Sequence, residues 1–191
     1  MQVNFLPSFP PIFFGLGAVG KVGEALATRN ITKPLIITDK GLVEYGVLNR
    51  LIDSIPSNIH FSVFDDIPEN PTILGVETSL SAYRENGCNG IIALGGGSVL
   101  DSGKALRVIT NQDSRLHPYL MDSSKITADV APYITIPSTA GTGAEITWGG
   151  GIHPDVDTPA FGLRSPYLKP DIAICDPEIT RTLPPKLTAA T

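Results

Sequence analysis

The sequence has 191 residues, enough for one α/β domain with a buried core. Apolar residues make up 42% and charged residues 17%, a composition typical of a folded globular domain. A net charge of −5 disfavours a nucleic-acid partner, because phosphate backbones attract basic surfaces. No apolar run reaches the roughly 18 to 20 residues of a membrane span, and residues 1–11 lack the pattern of a signal peptide. Cys88 and Cys175 supply no disulfide or zinc framework, so we expect a cytoplasmic protein with two small core cysteines.

Short β-rich runs alternate along the chain with amphipathic stretches, which is the pattern of a parallel sheet with helices on its faces. We therefore predict a Rossmann-like α/β domain. The first helix and strand are predicted at 17–28 and 34–38, and the next helix at 41–55. The remaining elements follow in order: a strand at 60–64, a helix from 70 to about 87, a strand at 90–95, a helix at 98–110, and strands at 133–138 and 170–178.

Three local patterns refine this prediction. One helical stripe in 41–55 carries Leu42, Tyr45, Leu48, Leu51 and Ile52. Asn70 followed by a proline predicts a helix N-cap with proline in the first turn. Residues 146–152 are interpreted as the first arm of a β-hairpin, and the prolines at 184–185 precede a further helix start.

The stretch GGGSVLDSGK at 95–104 follows a buried strand and opens a helix. Its glycines allow close backbone approach and positive φ angles. The amides of Gly96, Gly97 and Ser98 would then face a ligand at a helix N-terminus, which favours a phosphate or pyrophosphate. Ser98 and Asp101 also have the spacing of a capping box. A tight turn with a cap remains the alternative, and the spacing fits neither G-x-G-x-x-G nor a Walker A loop.

Two further loops are predicted at the same edge of the sheet. Asp39 directly follows the strand at 34–38, where a carboxylate can accept hydrogen bonds from both hydroxyls of an adenosine ribose and repel a 2′-phosphate. On position alone, a helix N-cap is the simpler interpretation of Asp39. The loop IPSTAGTGAE at 136–145 offers hydroxyl and amide donors from Ser138, Thr139 and Thr142, with a flexible surface loop as the alternative.

The remaining candidates carry weaker signals. His60, His117 and His153 are scattered and lack metal-ligand spacing, so we predict no metal site from them. Trp148 is interpreted as a packing residue. The sequence contains no arrangement typical of a nucleophilic triad, and we assign no catalytic residue.

Taken together, these loops resemble the iron-containing alcohol dehydrogenases. The resemblance runs through TDKGL at 38–42, PENPT at 68–72, GGGSxxDxxKA at 95–105, PSTAGTGAE at 137–145 and SPYLKPDIAICDPE to TLPPKLTAAT at 165–191. It implies an N-terminal α/β nucleotide-binding domain followed by an all-helical domain, with nicotinamide, substrate and Fe²⁺ (sometimes Zn²⁺) held between them. On this basis residues 1–180 form the NAD-binding domain and 181–191 begin the helical one.

The resemblance also implies roles for single residues in binding NAD. The pyrophosphate would meet the loop after the third predicted strand, and the adenosine ribose would meet the carboxylate after the first. The nicotinamide ribose would lie near the acidic residue of GGGSxxDxxKA. Asn70 would line the adenosine side, and Thr139 and Thr142 would contact the phosphate or adenine part. In chain order, the eight implied residues are Asp39, Asn70, Gly96, Gly97, Ser98, Asp101, Thr139 and Thr142. In the family, LTAAT runs on into a Gly-Met-Asp-x-x-x-His segment with metal ligands, so we expect no metal ligand within these 191 residues.

The sequence departs from the family pattern at 158–161. A lysine that contacts the cofactor normally precedes the residues matching GLRSP, but here the stretch reads Thr-Pro-Ala-Phe. Either the cofactor is held less tightly, or Arg164 takes over the contact.

Three functions are consistent with this sequence. The first is the nucleotide-binding part of an NAD-dependent, metal-dependent alcohol dehydrogenase that moves hydride between a small alcohol or aldehyde and NAD. The second is a relative of glycerol dehydrogenase or dehydroquinate synthase, and the third is a non-catalytic nucleotide-binding module. We expect these 191 residues alone to be inactive, and to self-associate or form a homodimer, without nucleic acid or membrane as a partner.

Overall fold

The computed structural model describes residues 9–112, 115–181 and 183–191, without the side chains of Leu187 and Ala190. The signal-peptide assessment rests largely on residues 1–8, which lie outside this range. The strands are β1 (Ile12–Phe14), β2 (Pro34–Ile37), β3 (Ser62–Phe64), β4 (Gly90–Gly95), β5 (Tyr133–Pro137), β6 (Gly149–Ile152), β7 (Phe161–Arg164) and β8 (Ile172–Cys175). The α-helices are α1 (Val22–Thr28), α2 (Lys40–Glu44), α3 (Val47–Ile52), α4 (Ile73–Glu85), α5 (Gly97–Ile109), α6 (His117–Met121), α7 (Pro177–Thr180) and α8 (Pro185–Ala190).

Six parallel strands form one sheet in the order β1-β8-β5-β4-β2-β3. All residues of β2, β4 and β5 are buried. This explains their continuous apolar runs, because helices cover both faces of a parallel sheet. Alternate residues of β2 enter two separate cores: Leu35 and Ile37 join one, and Ile36 joins the other. The predicted Rossmann-like α/β class is confirmed.

The sheet has a topological switch point between β2 and β4. After β2 the chain passes through α3, whose Val47 and Leu51 pack in the core on one face. After β4 it passes through α5, whose Leu100 and Leu106 pack in the core on the other face. Where neighbouring strands send their helices to opposite faces, a crevice opens at the carboxyl ends of the strands, and α/β proteins bind ligands there.

Two predicted helix features are wrong in detail. The helix predicted over 41–55 is divided into α2 and α3, because Gly46 adopts a left-handed φ of 71° that no α-helix continues through. Tyr45, placed on the buried stripe, is therefore 67% exposed. Asn70 does not cap α4: Thr72 does, and its hydroxyl oxygen accepts a hydrogen bond from the Gly75 amide at 3.2 Å.

The last third of the chain adds a hairpin and two short helices. The predicted hairpin is confirmed as β6 paired antiparallel with β7, although β6 begins at Gly149. The strand predicted over 170–178 ends at Cys175, because Asp176 caps α7. The helix start predicted after Pro184 is confirmed by α8. Within the described ranges, every helix is too short or too polar to cross a lipid bilayer.

Candidate functional site

A cleft of about 550 Å³ opens at the switch point, above the carboxyl ends of β2, β4 and β5. We call it the switch-point cleft. Six of the eight predicted site residues line it: Asp39, Gly96, Gly97, Ser98, Thr139 and Thr142. The sheet register explains this grouping, because Ile37 pairs with Ala93 and Gly95 pairs with Pro137. The loops that follow these strands therefore emerge side by side.

The N-terminus of α5 faces this cleft without a side-chain cap. Its N-cap is Gly96, which has no side chain, and among the residues that the structure describes no side-chain cap is found at this helix start. By contrast, α2, α4 and α7 are capped by Asp39, Thr72 and Asp176. The capping box predicted for Ser98 and Asp101 is wrong, because Ser98 lies inside the first turn and its hydroxyl donates to the Glu69 carbonyl. The amides of an uncapped helix start and the positive end of the helix dipole suit an anion.

The glycines of this loop are needed for space and not for positive φ. Gly96 has φ −76°, and the described residues with positive φ lie elsewhere. A Cβ on Gly96 would lie 3.3 Å from Thr139 Cγ2, and one on Gly97 would lie 3.1 Å from Thr142 Cγ2. The two loops thus pack closely enough for a diphosphate to reach backbone amides on one side and threonine hydroxyls on the other.

The hydroxyl of Thr139 supports a polar ligand in this cleft. Its Oγ1 is buried, and among the described residues it has no hydrogen-bond partner. Burying an unsatisfied hydroxyl costs about 1 to 3 kcal/mol, so such groups in folded proteins usually have a partner. A phosphate oxygen in the switch-point cleft would supply one, and the residues present therefore fit a nucleotide diphosphate.

Asp39 combines both interpretations that the sequence offered. Its Oδ1 accepts a hydrogen bond from the Leu42 amide at 2.9 Å, so it is the N-cap of α2. It also lines the switch-point cleft. The neighbouring cation is occupied elsewhere, because Lys40 Nζ lies 2.6 Å from Asp66 Oδ1, and the hydrogen bond to Asp66 raises the pKa of Lys40.

The other two predicted site residues lie outside the switch-point cleft. Asn70 is exposed, and it lines neither the switch-point cleft nor the second cleft that Asp101 lines. Asp101 lines a second cleft of about 410 Å³ beside the hairpin, which we call the hairpin cleft. The two clefts share Gly97, Ser98 and Thr142, so the N-terminus of α5 lies between them.

Sequence reasoning missed Lys104, which is fully buried beneath the hairpin cleft. Its Nζ donates to Asp101 Oδ1 at 3.0 Å, to Thr147 Oγ1 at 3.0 Å and to the Gly149 carbonyl at 2.6 Å. Burial lowers the pKa of Lys104, and the Asp101 carboxylate opposes that shift. A signal was present, because a lysine three residues after an aspartate on the same helix can pair with it.

The hairpin region also bears on the missing lysine. Ala160 lines the hairpin cleft, and so does His153, whose Nδ1 lies 2.8 Å from the Thr158 carbonyl oxygen. Arg164 is exposed on β7 and lines neither cleft, so its position does not favour a cofactor contact in place of the family's lysine. Trp148, interpreted as a packing residue, is 43% exposed at the entry to β6.

The two cysteines and the potential metal ligands form no metal site in the described part of the chain. Cys88 is buried and Cys175 half-buried, both as free thiols, and burial raises the pKa of each. Across residues 9–112, 115–181 and 183–191, no three His, Cys, Asp or Glu side chains come together as a metal site.

Comparison with known proteins decides the family. Residues 10–177 match the family model described as iron-containing alcohol dehydrogenase. The chain belongs to this family. The match includes the GGGS loop, the loop of Thr139 and Thr142, and the strands that carry them, so most of the switch-point cleft lies within the matched range. The remaining lining residues follow that range: Ile179, Leu183, Pro184 and Thr191.

Individual relatives agree with this assignment. The chain is 40% identical over 183 residues to 4-hydroxybutyrate dehydrogenase of Cupriavidus necator, covering 94% of this chain and 47% of that protein. It is 34% identical over 184 residues to lactaldehyde reductase of Escherichia coli (strain K12), covering 94% and 47%. Sulfoacetaldehyde reductase from Bifidobacterium kashiwanohense, solved in complex with NAD⁺, superposes with a TM-score of 0.90 at 29% identity, covering 99% of this chain and 50% of that one. The chain thus spans about half the length of these relatives.

Proposed function

We propose that this chain binds NAD(H) and is the nucleotide-binding part of an NAD-dependent, metal-dependent alcohol dehydrogenase. The observation that carries the proposal is the uncapped N-terminus of α5 at the switch point, packed against the loop of Thr139 and Thr142. The structural relative that was solved with NAD⁺ and the family match both support NAD as the nucleotide. When bound, the nicotinamide supplies the hydride chemistry.

The residues of this chain would divide the cofactor between the two clefts. The amides at Gly97 and Ser98 would bind the diphosphate, and the Thr139 hydroxyl would donate to one of its oxygens. Asp39 would accept from the adenosine ribose in the switch-point cleft. The nicotinamide ribose would then enter the hairpin cleft, near Asp101. Asn70, exposed outside both clefts, keeps its implied place at the adenosine side only as a prediction.

An alcohol dehydrogenase of this class would also need a metal and a substrate. We expect Fe²⁺ or Zn²⁺ to be held by residues in the part of the relatives that this chain does not cover. There it would polarise the oxygen of a small alcohol or aldehyde. In the same way, the division at residue 180 between a nucleotide-binding and a helical domain, the cytoplasmic location and self-association remain predictions.

A substitution at Gly97 tests the proposed function directly. We expect Gly97→Val to weaken NADH binding at least tenfold, because its side chain would meet Thr142 and block the approach of the diphosphate. Gly162→Val is the matched control: Gly162 is an exposed strand residue whose added Cβ would contact nothing within 4 Å, and it lines neither cleft. NADH fluorescence titration measures both. Unchanged affinity in Gly97→Val would exclude this loop as the diphosphate site.

A further inference from the structure

The buried ammonium of Lys104 joins α5 to the chain entering β6. A lysine is almost never fully buried unless its charge is paired. Here all three donor hydrogens have a partner within 3.0 Å: Asp101 on the same helix, Thr147 and the Gly149 carbonyl. Of these partners, Thr147 lies just before the hairpin and Gly149 is the first residue of β6.

Asp101 adds a second connection between the same elements. Its Oδ1 binds Lys104, and its Oδ2 accepts from the Gly151 amide at 3.0 Å. A Cβ on Gly150 would lie 2.9 Å from Asp101 Cγ, so the glycine run of β6 lets the backbone approach the carboxylate. Lys104 and Asp101 therefore fix β6 and the residues just before it on α5 at three alternate positions, which are Thr147, Gly149 and Gly151.

The fixed atoms form the wall of a ligand cleft. Asp101, Thr147, Gly149 and Gly151 line the hairpin cleft, whereas Lys104 lines neither cleft and lies behind them. A need for stability alone would not select this arrangement, because a well-packed apolar side chain of similar volume often stabilises a protein as much as a buried ion pair. What the pair adds is a defined orientation of the wall.

We propose that Lys104 is a positioning residue for the nicotinamide half of the cofactor. It holds Asp101 and the β6 backbone in place, so that the hairpin cleft keeps the width that this half of the cofactor requires. The inference rests on the proposed binding of NAD(H). It makes different predictions for the two halves of one ligand. Binding of the adenosine diphosphate in the switch-point cleft does not depend on Lys104, whereas binding of the nicotinamide ribose in the hairpin cleft does.

The experiment compares NADH with ADP, which contains only the adenosine diphosphate part. In Lys104→Met, we expect NADH to bind about tenfold more weakly and ADP to bind within twofold of the unmodified chain. The fluorescence enhancement of bound NADH, which reports the surroundings of the nicotinamide, should fall as well. Lys21→Met is the matched control, because Lys21 is an exposed lysine paired with Glu24 within three residues, and it should change neither affinity.

Each alternative outcome is decisive. If Lys104→Met weakens ADP and NADH equally, or neither, the positioning role is overturned. Should this variant fail to fold, Thr147→Val removes one acceptor at nearly constant shape, and we expect about a threefold loss for NADH alone. An unchanged NADH-to-ADP ratio in Thr147→Val also overturns the inference. If the unmodified chain binds neither nucleotide, the proposed function fails first, and this inference fails with it.

Discussion

At the scale of single residues, Asp39 both caps α2 and lines the switch-point cleft. Its position directly after β2 indicated both roles, but sequence alone treated them as alternatives. The structure makes them compatible, because the bond to the Leu42 amide uses Oδ1 and the residue still reaches the cleft. Lys40 is paired with Asp66, so it does not neutralise Asp39.

This geometry predicts a preference for NADH over NADPH of at least about tenfold, which corresponds to roughly 1.4 kcal/mol. The Asp39 carboxylate would accept from the ribose hydroxyls of NADH but repel the 2′-phosphate of NADPH. Asp39→Asn keeps a good N-cap and removes the charge, so the preference should narrow without loss of stability. Asp39→Gly should narrow or reverse it. Paired titrations of both cofactors measure this, and equal binding of both to the unmodified chain would leave Asp39 with its capping role alone.

The grouping of the three loops around the switch-point cleft could be predicted because each loop directly follows an apolar strand. The carboxyl ends of parallel strands lie at one edge, so chain position implied proximity for Asp39, Gly97 and Thr139. Lys104 could not be found in this way. Its three hydrogen-bond partners include two that are more than 40 residues away, and their approach depends on how the hairpin folds back onto α5.

At the scale of elements, Asp176 joins the end of β8 to the segment that precedes α1. Its carboxylate accepts from the amides of Gly17, Val19 and Glu178 at 3.0 to 3.2 Å, and only 2% of the residue is exposed. Two of these bonds connect positions more than 150 residues apart. Buried charge-assisted bonds of this kind contribute more than exposed ones, because removing the acceptor leaves buried donors without a partner.

We expect Asp176→Ala to lower the free energy of unfolding by about 2 to 4 kcal/mol, judged from the loss of several buried bonds to a charged group. Asp155→Ala is the matched control. Asp155 also accepts three bonds, from Asp157 and Thr158, but all of them lie within one exposed turn. Asp155→Ala should lower the free energy of unfolding by less than about 1 kcal/mol. Urea denaturation measures both, and equal losses would contradict the importance of the long-range contacts.

Element boundaries show where sequence patterns stop being informative. The stripe from Leu42 to Ile52 indicated one helix, but the periodicity of apolar residues does not register a backbone break at Gly46. Asn70 and Thr72 are both good capping residues, and only the path of the chain selects Thr72. The strand β1 was not predicted at all, because three residues are too few for a pattern and its pairing partner β8 is far along the chain.

At the scale of the whole molecule, β1 leaves an apolar surface at the edge of the sheet. We call it the β1 edge patch, and its members are between 47% and 80% exposed: Phe9, Ile12, Phe14 and Leu16. Exposed apolar edge strands favour association with other chains. Strand order, which places this patch at an edge, could not be read from the sequence, because periodicity identifies strands but not their neighbours.

We therefore expect the 191-residue chain to self-associate through the β1 edge patch. Leu16→Ser should lower the weight-average mass at a given protein concentration, since it removes a large apolar side chain from the patch. Leu74→Ser is the matched control, because Leu74 is 73% exposed on α4 and separate from the patch. Light scattering across a concentration series measures the mass. A monomeric unmodified chain, or an equal effect of both variants, would contradict the prediction.

The position of Trp148 has a practical consequence for all of these measurements. It is the sole tryptophan of the sequence, it lies at the entry to β6, and it is 43% exposed. Indole emission is sensitive to solvent and overlaps the absorption of reduced nicotinamide. The protein thus carries a built-in optical reporter beside the hairpin, through which both the seating of the hairpin and the arrival of the cofactor can be followed without attaching a dye.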